Sequence, residues 1–165
     1  MLRKRPTDPS STSEAHASGL AMLARRELST KQVRERLTRR GFARDAVDEA
    51  VARLQASGAL DDRRVALAAA RTHAHVKRHG RERVLRELGA LGIDQHAAAL
   101  AVADVFGGVD EGALLEQALD KRLRRGADPR DPAVQRRLFG ALVRQGFDPG
   151  AIRRALERRR RGNEE

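Results

Sequence analysis

The chain has 165 residues, and its 34 Lys and Arg against 23 Asp and Glu give a formal net charge of +11. It contains no Cys, Trp or Tyr, which excludes disulfide frameworks, thiol nucleophiles and cysteine-based zinc or iron–sulfur sites. No apolar run approaches the roughly 18 residues of a membrane span, and residues 1–13 lack the apolar core of a secretory signal. We therefore expect a cytoplasmic, basic protein that is attracted to a polyanion and makes no membrane contact.

The spacing of apolar residues predicts an all-α fold, because aliphatic side chains recur at helical intervals and β-branched residues are sparse. Residues 1–13, rich in Pro and Ser, offer almost nothing to bury and are predicted to be a disordered leader. Nine helices are then predicted in chain order at about 14–27, 30–40, 44–56, 62–78, 81–91, 95–106, 110–125, 131–145 and 149–161.

Three glycines divide these helices into three groups of three. Gly41, Gly92 and Gly146 lie 51 and 54 residues apart, each has a leucine four residues before it, and apolar positions around them align. We predict a leader at 1–13, three-helix repeats at 14–57, 58–107 and 108–161, and a tail at 162–165.

The glycine spacing has a physical cause. A glycine just beyond a helix takes the left-handed conformation that a Cβ would penalise, and the next residue packs back on the leucine as in a Schellman motif. That next residue is Phe42, Ile93 or Phe147. Because another helix follows almost at once, the last two helices of each repeat are expected to resemble a helix-turn-helix.

Three of the histidines are candidate metal ligands. His75 and His79 are spaced i, i+4 with His73 nearby, but Lys77 and Arg78 lie between them and would repel a cation. No third ligand stands at an obvious spacing. We therefore expect no metal and no cofactor.

Catalytic arrangements are also missing from the sequence. Ser18, Ser29 and Ser57 lie near helix ends or turns, where capping explains them, and no Gly-x-x-x-x-Gly-Lys phosphate loop occurs. The pair Asp61-Asp62 could bind a hard cation, but it more simply caps the next helix. We predict that the protein is not an enzyme.

The basic residues are unevenly distributed. In the first two repeats the second helix is basic, whereas the third helix, which would enter the major groove in a helix-turn-helix, is acidic or neutral. With only four Phe as aromatic residues, base stacking on single strands is not expected either. Contact with nucleic acid should be weak, salt-sensitive and directed at phosphates.

Five short motifs occur along the chain, namely Arg26-Glu27-Leu28-Ser29, Leu37-x-x-x-Gly41-Phe42, Gly58-Ala59-Leu60-Asp61-Asp62-Arg63, Gly80-x-x-x-Val84-x-x-Glu87-Leu88-x-x-x-Gly92-Ile93 and Arg144-Gln145-Gly146-Phe147. Together they resemble the RecX family of regulatory proteins over about residues 18–160. One departure is Val65, where the family usually has an aromatic residue.

The resemblance implies three tandem three-helix modules, which we expect to form an elongated, curved body. It also implies a protein that binds the RecA–single-stranded DNA filament and restrains the ATPase, strand-exchange and coprotease activities of RecA. We expect the chain to act as a monomer. We expect basic faces to line the filament groove, where linked weak contacts add up to useful avidity. The candidate residues are Arg34, Arg39, Arg81, Arg83, Arg86, Arg136 and Arg144.

Two other functions remain open at the level of sequence. A helix-turn-helix regulator of DNA would bind an operator even at moderate salt. A general nucleic-acid-binding or ribosome-associated basic protein would act without reference to RecA.

Overall fold

The structure, a computed structural model, describes residues 6–123 and 128–162. These residues form nine α-helices and one π-helical turn and contain no strand, so the all-α prediction is confirmed. The helices are α1 (Thr12–Leu23), α2 (Thr30–Arg40), α3 (Arg44–Ala56), α4 (Asp62–Arg71), α5 (Arg81–Ala90), α6 (Gln95–Phe106), α7 (Glu111–Leu123), α8 (Pro132–Gln145) and α9 (Pro149–Arg161), with the π-helical turn at Thr72–Val76.

Part of the predicted leader and tail lies outside the described residues, namely 1–5 and 163–165. Ser11 caps α1 by accepting a hydrogen bond from the Glu14 amide, so the helix begins at Thr12. The segment before α1 is attached to the turn between α2 and α3, because the Ala43 amide donates to the Pro9 carbonyl over 2.8 Å.

Side-chain caps also set the starts of α2, α8 and α9. Ser29 and Gln32 form a reciprocal capping box on α2. Asp131 and Asp148 accept amide hydrogen bonds at the starts of α8 and α9, each followed by a proline at the first helical position.

The three repeat glycines end α2, α5 and α8. Gly41, Gly92 and Gly146 have φ angles of 100°, 81° and 94°, in the left-handed region. After each glycine, the next amide donates back to the carbonyl five residues earlier, which is the Schellman pattern. These bonds run from Phe42 to Leu37 (3.3 Å), from Ile93 to Leu88 (3.2 Å) and from Phe147 to Leu142 (3.2 Å).

The chain divides into two compact units. The first contains the described residues as far as Ala66 together with Leu88–Ala98. In it α1 packs closely on α3, since a Cβ at Gly19 would stand only 2.6 Å from Leu54 Cδ1. Its core consists of Ala15, Met22, Leu28, Val33, Leu37, Phe42, Val47, Ala50, Val51, Leu54 and Leu60.

The second unit contains Leu67–Glu87 and the described residues from Ala99 onward. Its main core joins α7, α8 and α9. The buried members are Leu115, Ala118, Leu119, Val134, Leu138, Leu142, Phe147, Ile152, Ala155 and Leu156.

In the second unit the start of α5 packs directly on the glycine turn after α8. The Gly80 amide donates to the Gln145 carbonyl over 3.0 Å, and the Glu82 amide donates to the Gly146 carbonyl over 3.2 Å. A Cβ at Gly80 would overlap the Gly146 carbonyl and lie 2.7 Å from the Phe147 nitrogen. This backbone contact therefore requires glycine.

A similar contact occurs in the first unit, at the start of α2. The Ser29 hydroxyl donates to the Leu91 carbonyl over 2.6 Å, and a Cβ at Gly92 would stand 2.6 Å from the Lys31 side chain.

Within residues 6–123 and 128–162, no helix combines the length and apolar character that crossing a membrane requires.

Candidate functional site

The first unit carries two of the predicted contact arginines, in different surroundings. Arg34 on α2 forms an ion pair with Asp48 on α3, so its charge is partly neutralised within the protein. Arg39, also on α2, is exposed, and its Nε donates to the Glu35 carbonyl over 3.2 Å.

Arg39 belongs to a cluster of arginines from two parts of the first unit that are separate in the sequence. They line a depression of about 440 Å³ formed by the end of α1, the residues after it and one face of α2. Part of this cluster could be predicted from the sequence, because Arg36, Arg39 and Arg40 are spaced i, i+3 and i+4 and therefore share one face of α2. The lining residues are Ala21, Met22, Arg25, Arg26, Arg36, Arg39 and Arg40.

The chemistry of this depression suits a phosphate or another anion. Among the residues that the structure describes, its lining contains five guanidinium groups and no carboxylate. Guanidinium groups bind phosphate oxygens through paired hydrogen bonds. We define these five residues, Arg25, Arg26, Arg36, Arg39 and Arg40, as the arginine depression.

Arg81, in the second unit, has partners inside the protein. Its guanidinium donates to Glu111 Oε1 over 3.0 Å and lies 5.2 Å from the centre of the Phe106 ring. These contacts hold the start of α5 and make Arg81 a structural residue as well as a surface cation.

The structure brings three other predicted arginines together. Arg83 and Arg86 on α5 both donate to the main-chain carbonyl of Arg144 on α8, over 3.3 and 3.4 Å. They line a shallow depression of about 500 Å³ with Glu87 and Val143. Arg136 is exposed on α8 but does not line this depression.

The basic end of α9 is held by acidic residues of α7. Glu116 accepts from Arg158 over 2.7 Å and from Arg159 over 2.8 Å, and Arg159 also pairs with Asp120 over 2.7 Å. Burial acts to raise the pKa of Glu116, but the hydrogen bonds and charges of the two arginines outweigh it and lower this pKa below its usual value.

His73 and His79 lie against each other in the second unit, whereas regular helical spacing predicts that His75 pairs with His79. Their Nδ1 atoms are 3.1 Å apart, and Glu87 lies beside them. Burial is the main cause that lowers the pKa of both rings, with the positive charges of Lys77 and Arg83 acting in the same direction. No third ligand stands at an obvious spacing in the sequence, but the fold brings Glu87 from α5 to the two rings.

The acidic pair Asp61-Asp62 has a structural role. Asp61 Oδ1 accepts from the Arg63 and Arg64 amides at the start of α4. Asp62 Oδ1 accepts from the Thr30 amide over 2.8 Å, so it helps to cap α2 from a distance.

Comparison with known proteins places this fold and sequence in one family. Models of the first and third three-helix domains of RecX match residues 15–54 and 110–156. "Regulatory protein RecX" of Stenotrophomonas maltophilia (strain R551-3) is 37% identical over 155 residues, which cover 93% of this chain and 89% of that protein. "Regulatory protein RecX" of Xanthomonas campestris pv. campestris (strain B100) is 38% identical over 138 residues, covering 82% of each chain.

Solved structures agree with this at the level of fold. The crystal structure of RecX from Lactobacillus salivarius superposes with a TM-score of 0.76 at 19% identity, covering 89% of this chain and 95% of that one. A second crystal structure of regulatory protein RecX gives a TM-score of 0.78 at 17% identity, covering 86% and 70%. The chain belongs to the RecX family of regulatory proteins.

Proposed function

We propose that this protein binds the RecA–single-stranded DNA filament and negatively modulates the ATPase, strand-exchange and coprotease activities of RecA. Membership of a family of regulatory proteins supports a role in control. The high net positive charge supports a partner that is a polyanion or is coated on one.

The observation that carries the proposal is the arginine depression of the first unit. Within residues 6–123 and 128–162, five arginines and no carboxylate line this surface, and such a surface fits the phosphates of a DNA strand. The cluster formed by Arg83, Arg86 and the exposed Arg144 provides a further basic surface in the second unit. Several weak phosphate contacts on linked modules add up through effective concentration.

In this proposal the protein blocks the filament and performs no chemistry of its own. The basic faces occupy the filament groove, where they obstruct incoming duplex DNA and the subunit rearrangements coupled to ATP turnover. Ser29 and Ser57 have structural roles, because both donate to main-chain carbonyls near helix ends.

We further propose that the protein acts in the cytoplasm as a monomer, built from modules at 14–57, 58–107 and 108–161.

Direct binding to the filament tests this proposal. RecA is assembled on a fluorescent single-stranded oligonucleotide with a non-hydrolysable ATP analogue, and binding of the chain is followed by anisotropy and co-sedimentation. The double variant Arg39→Glu/Arg40→Glu places two negative charges in the arginine depression. We expect it to weaken filament binding at least ten-fold.

The matched control is Arg44→Glu/Arg63→Glu. It changes the net charge equally, and both residues are exposed first-turn positions outside the depression, where a glutamate suits the helix dipole. The control is expected to bind much more tightly than the depression variant. Equal weakening by both variants would show that the total net charge, and not the arginine depression, determines filament binding. Absence of binding between the unaltered chain and the filament would refute the proposed function.

A further inference from the structure

His73, His79 and Glu87 present three donor groups to one point in the second unit. The two Nδ1 atoms are 3.1 Å apart, and one ligand atom from each of the three residues lies within 4.8 Å of the others. His73 is buried, whereas His79 and Glu87 are partly exposed, so solvent can reach one side of the cluster.

The backbone is shaped to bring the two rings together. In a regular α-helix, residues six apart point about 120° away from each other and lie about 9 Å apart along the axis. Here α4 passes into the π-helical turn Thr72–Val76, and Arg78 then takes a left-handed φ of 55°, which is uncommon outside glycine. As a result the His79 amide donates to the His73 carbonyl over 2.9 Å, and the chain folds back on itself. Such π-helical turns are frequent at functional sites.

We propose that His73 Nδ1, His79 Nδ1 and the Glu87 carboxylate bind a divalent transition-metal ion of the Zn²⁺ type, with water as a fourth ligand. Zinc–nitrogen bonds of about 2.0–2.1 Å at a tetrahedral angle place two ligand nitrogens about 3.3 Å apart. The observed separation of 3.1 Å needs almost no adjustment. Two histidines, one glutamate and a water make a known zinc ligand set.

The protons of the two rings are compatible with this site. Without a metal, one Nδ1 must carry the proton of the hydrogen bond that joins the rings. When a metal ion binds, that neutral ring carries its proton on Nε2 instead, which frees both Nδ1 lone pairs for the ion. The lowered pKa of each ring supports the neutral form that a metal requires.

Two neighbouring cations limit the affinity. Lys77 Nζ lies 3.3 Å from His73 Nε2, and Arg83 Nε donates to Glu87 Oε1 over 3.2 Å. Lys77 is exposed on a flexible stem and can move aside, and a carboxylate can bind a metal through its second oxygen while Arg83 holds the first. Removal of the Lys77 charge should therefore strengthen metal binding.

A bound ion would have a structural effect close to the proposed contact surface. It would join the π-helical turn to α5, the helix that carries Arg83 and Arg86. The metal would thereby fix the connection that precedes this basic helix. The inference does not depend on the proposed function, because metal binding is measured without RecA or DNA.

The test is titration of the untagged, full-length, chelator-treated chain with Co²⁺ and Zn²⁺. We expect one equivalent of Co²⁺ to give the visible absorption of a four-coordinate site, and Zn²⁺ to abolish that absorption by displacement. His79→Ala and Glu87→Gln should each weaken Co²⁺ binding at least ten-fold. Lys77→Ala should strengthen it several-fold.

The matched control is His75→Ala, which removes an exposed histidine of the same turn that lies outside the cluster. It should bind Co²⁺ like the unaltered chain. Far-ultraviolet circular dichroism checks folding of each variant, and if His79→Ala loses helicity, Glu87→Gln decides. The proposal is overturned if the unaltered chain gives no four-coordinate Co²⁺ absorption, or if the folded ligand variants bind as well as His75→Ala.

Discussion

At the scale of single residues, the glycines explain most about how this chain is held together. The left-handed turns at Gly41, Gly92 and Gly146 could be predicted because the glycine-plus-apolar pattern repeats at a fixed spacing and has a local cause. The role of Gly80 could not be predicted, since it depends on a main-chain contact with residues more than sixty positions away.

Gly80→Ala should destabilise the second unit. The added Cβ would overlap the Gly146 carbonyl, so the start of α5 must move and lose its hydrogen bonds to the glycine turn. We expect the free energy of unfolding in urea to fall by about 1–3 kcal/mol.

Gly89→Ala, near the end of the helix that Gly80 precedes, is the control. A Cβ there meets nothing within 4 Å, so alanine should leave stability unchanged or raise it by about 0.5–1 kcal/mol through its better helix propensity. Similar losses at both positions would contradict the close approach at Gly80.

Glu116 gives a pH dependence whose sign follows from its lowered pKa. A carboxyl group with a folded-state pKa below its unfolded value stabilises the protein above the unfolded value, about 4.5, and loses that contribution as the pH falls through the folded pKa. Glu116→Gln should therefore lower the free energy of unfolding by up to about 1 kcal/mol at pH 7.

The difference between Glu116→Gln and the unaltered chain should shrink steadily when the pH falls below about 4.5. Denaturant melts at a series of pH values, at low salt, measure this difference. A constant difference across the range would mean that the effect is one of packing and not of charge.

At the scale of helices and turns, the starts of α2, α8 and α9 could be predicted because each is encoded by a local cap. The π-helical turn after α4 could not. Its sequence continues an ordinary helical pattern, so regular helical spacing pairs His75 with His79, whereas the actual backbone pairs His73 with His79. Whether a histidine pair forms thus depends on a local irregularity that hydrophobic spacing does not encode.

Ser29 is predicted to contribute more to the free energy of unfolding than a residue that only caps a helix. It is fully buried, its Oγ accepts from the Gln32 amide, and it donates to the Leu91 carbonyl. Ser29→Ala removes both bonds, and we expect it to cost about 1–2 kcal/mol in thermal or urea unfolding.

Ser57→Ala is the comparison for this loss. Ser57 is exposed and makes one bond, to the Leu54 carbonyl, so its removal should change stability by less than about 0.5 kcal/mol. An equally small effect at Ser29 would show that the contact with Leu91 adds nothing.

The basic surface formed by α5 and α8 is tested by Arg86→Glu/Arg144→Glu. Both side chains are exposed, so helicity and melting temperature should stay close to those of the unaltered chain. Filament binding should weaken several-fold, and more at low salt than at high salt. Arg81→Glu is expected to lower stability instead, because Arg81 pairs with Glu111.

At the scale of the whole molecule, part of the positive charge behind the net +11 is neutralised by ion pairs within the protein. Arg34, Arg81 and Arg159 pair with acidic residues of other helices, which sequence reasoning could not foresee because the partners are distant in the chain. The sequence does indicate how charge is distributed among the helices, and this distribution predicts that α2 and α5 carry the basic contact residues. The arginine depression refines that prediction by adding residues that follow α1.

The central claim is that this chain restrains RecA by binding the filament through basic surfaces. It is tested most directly by RecA's single-stranded-DNA-dependent ATP hydrolysis with substoichiometric amounts of the chain. We predict clear inhibition by the unaltered protein and by Arg44→Glu/Arg63→Glu, and much weaker inhibition by Arg39→Glu/Arg40→Glu. Undiminished hydrolysis with the unaltered protein, at concentrations where free DNA is not coated, would contradict the claim.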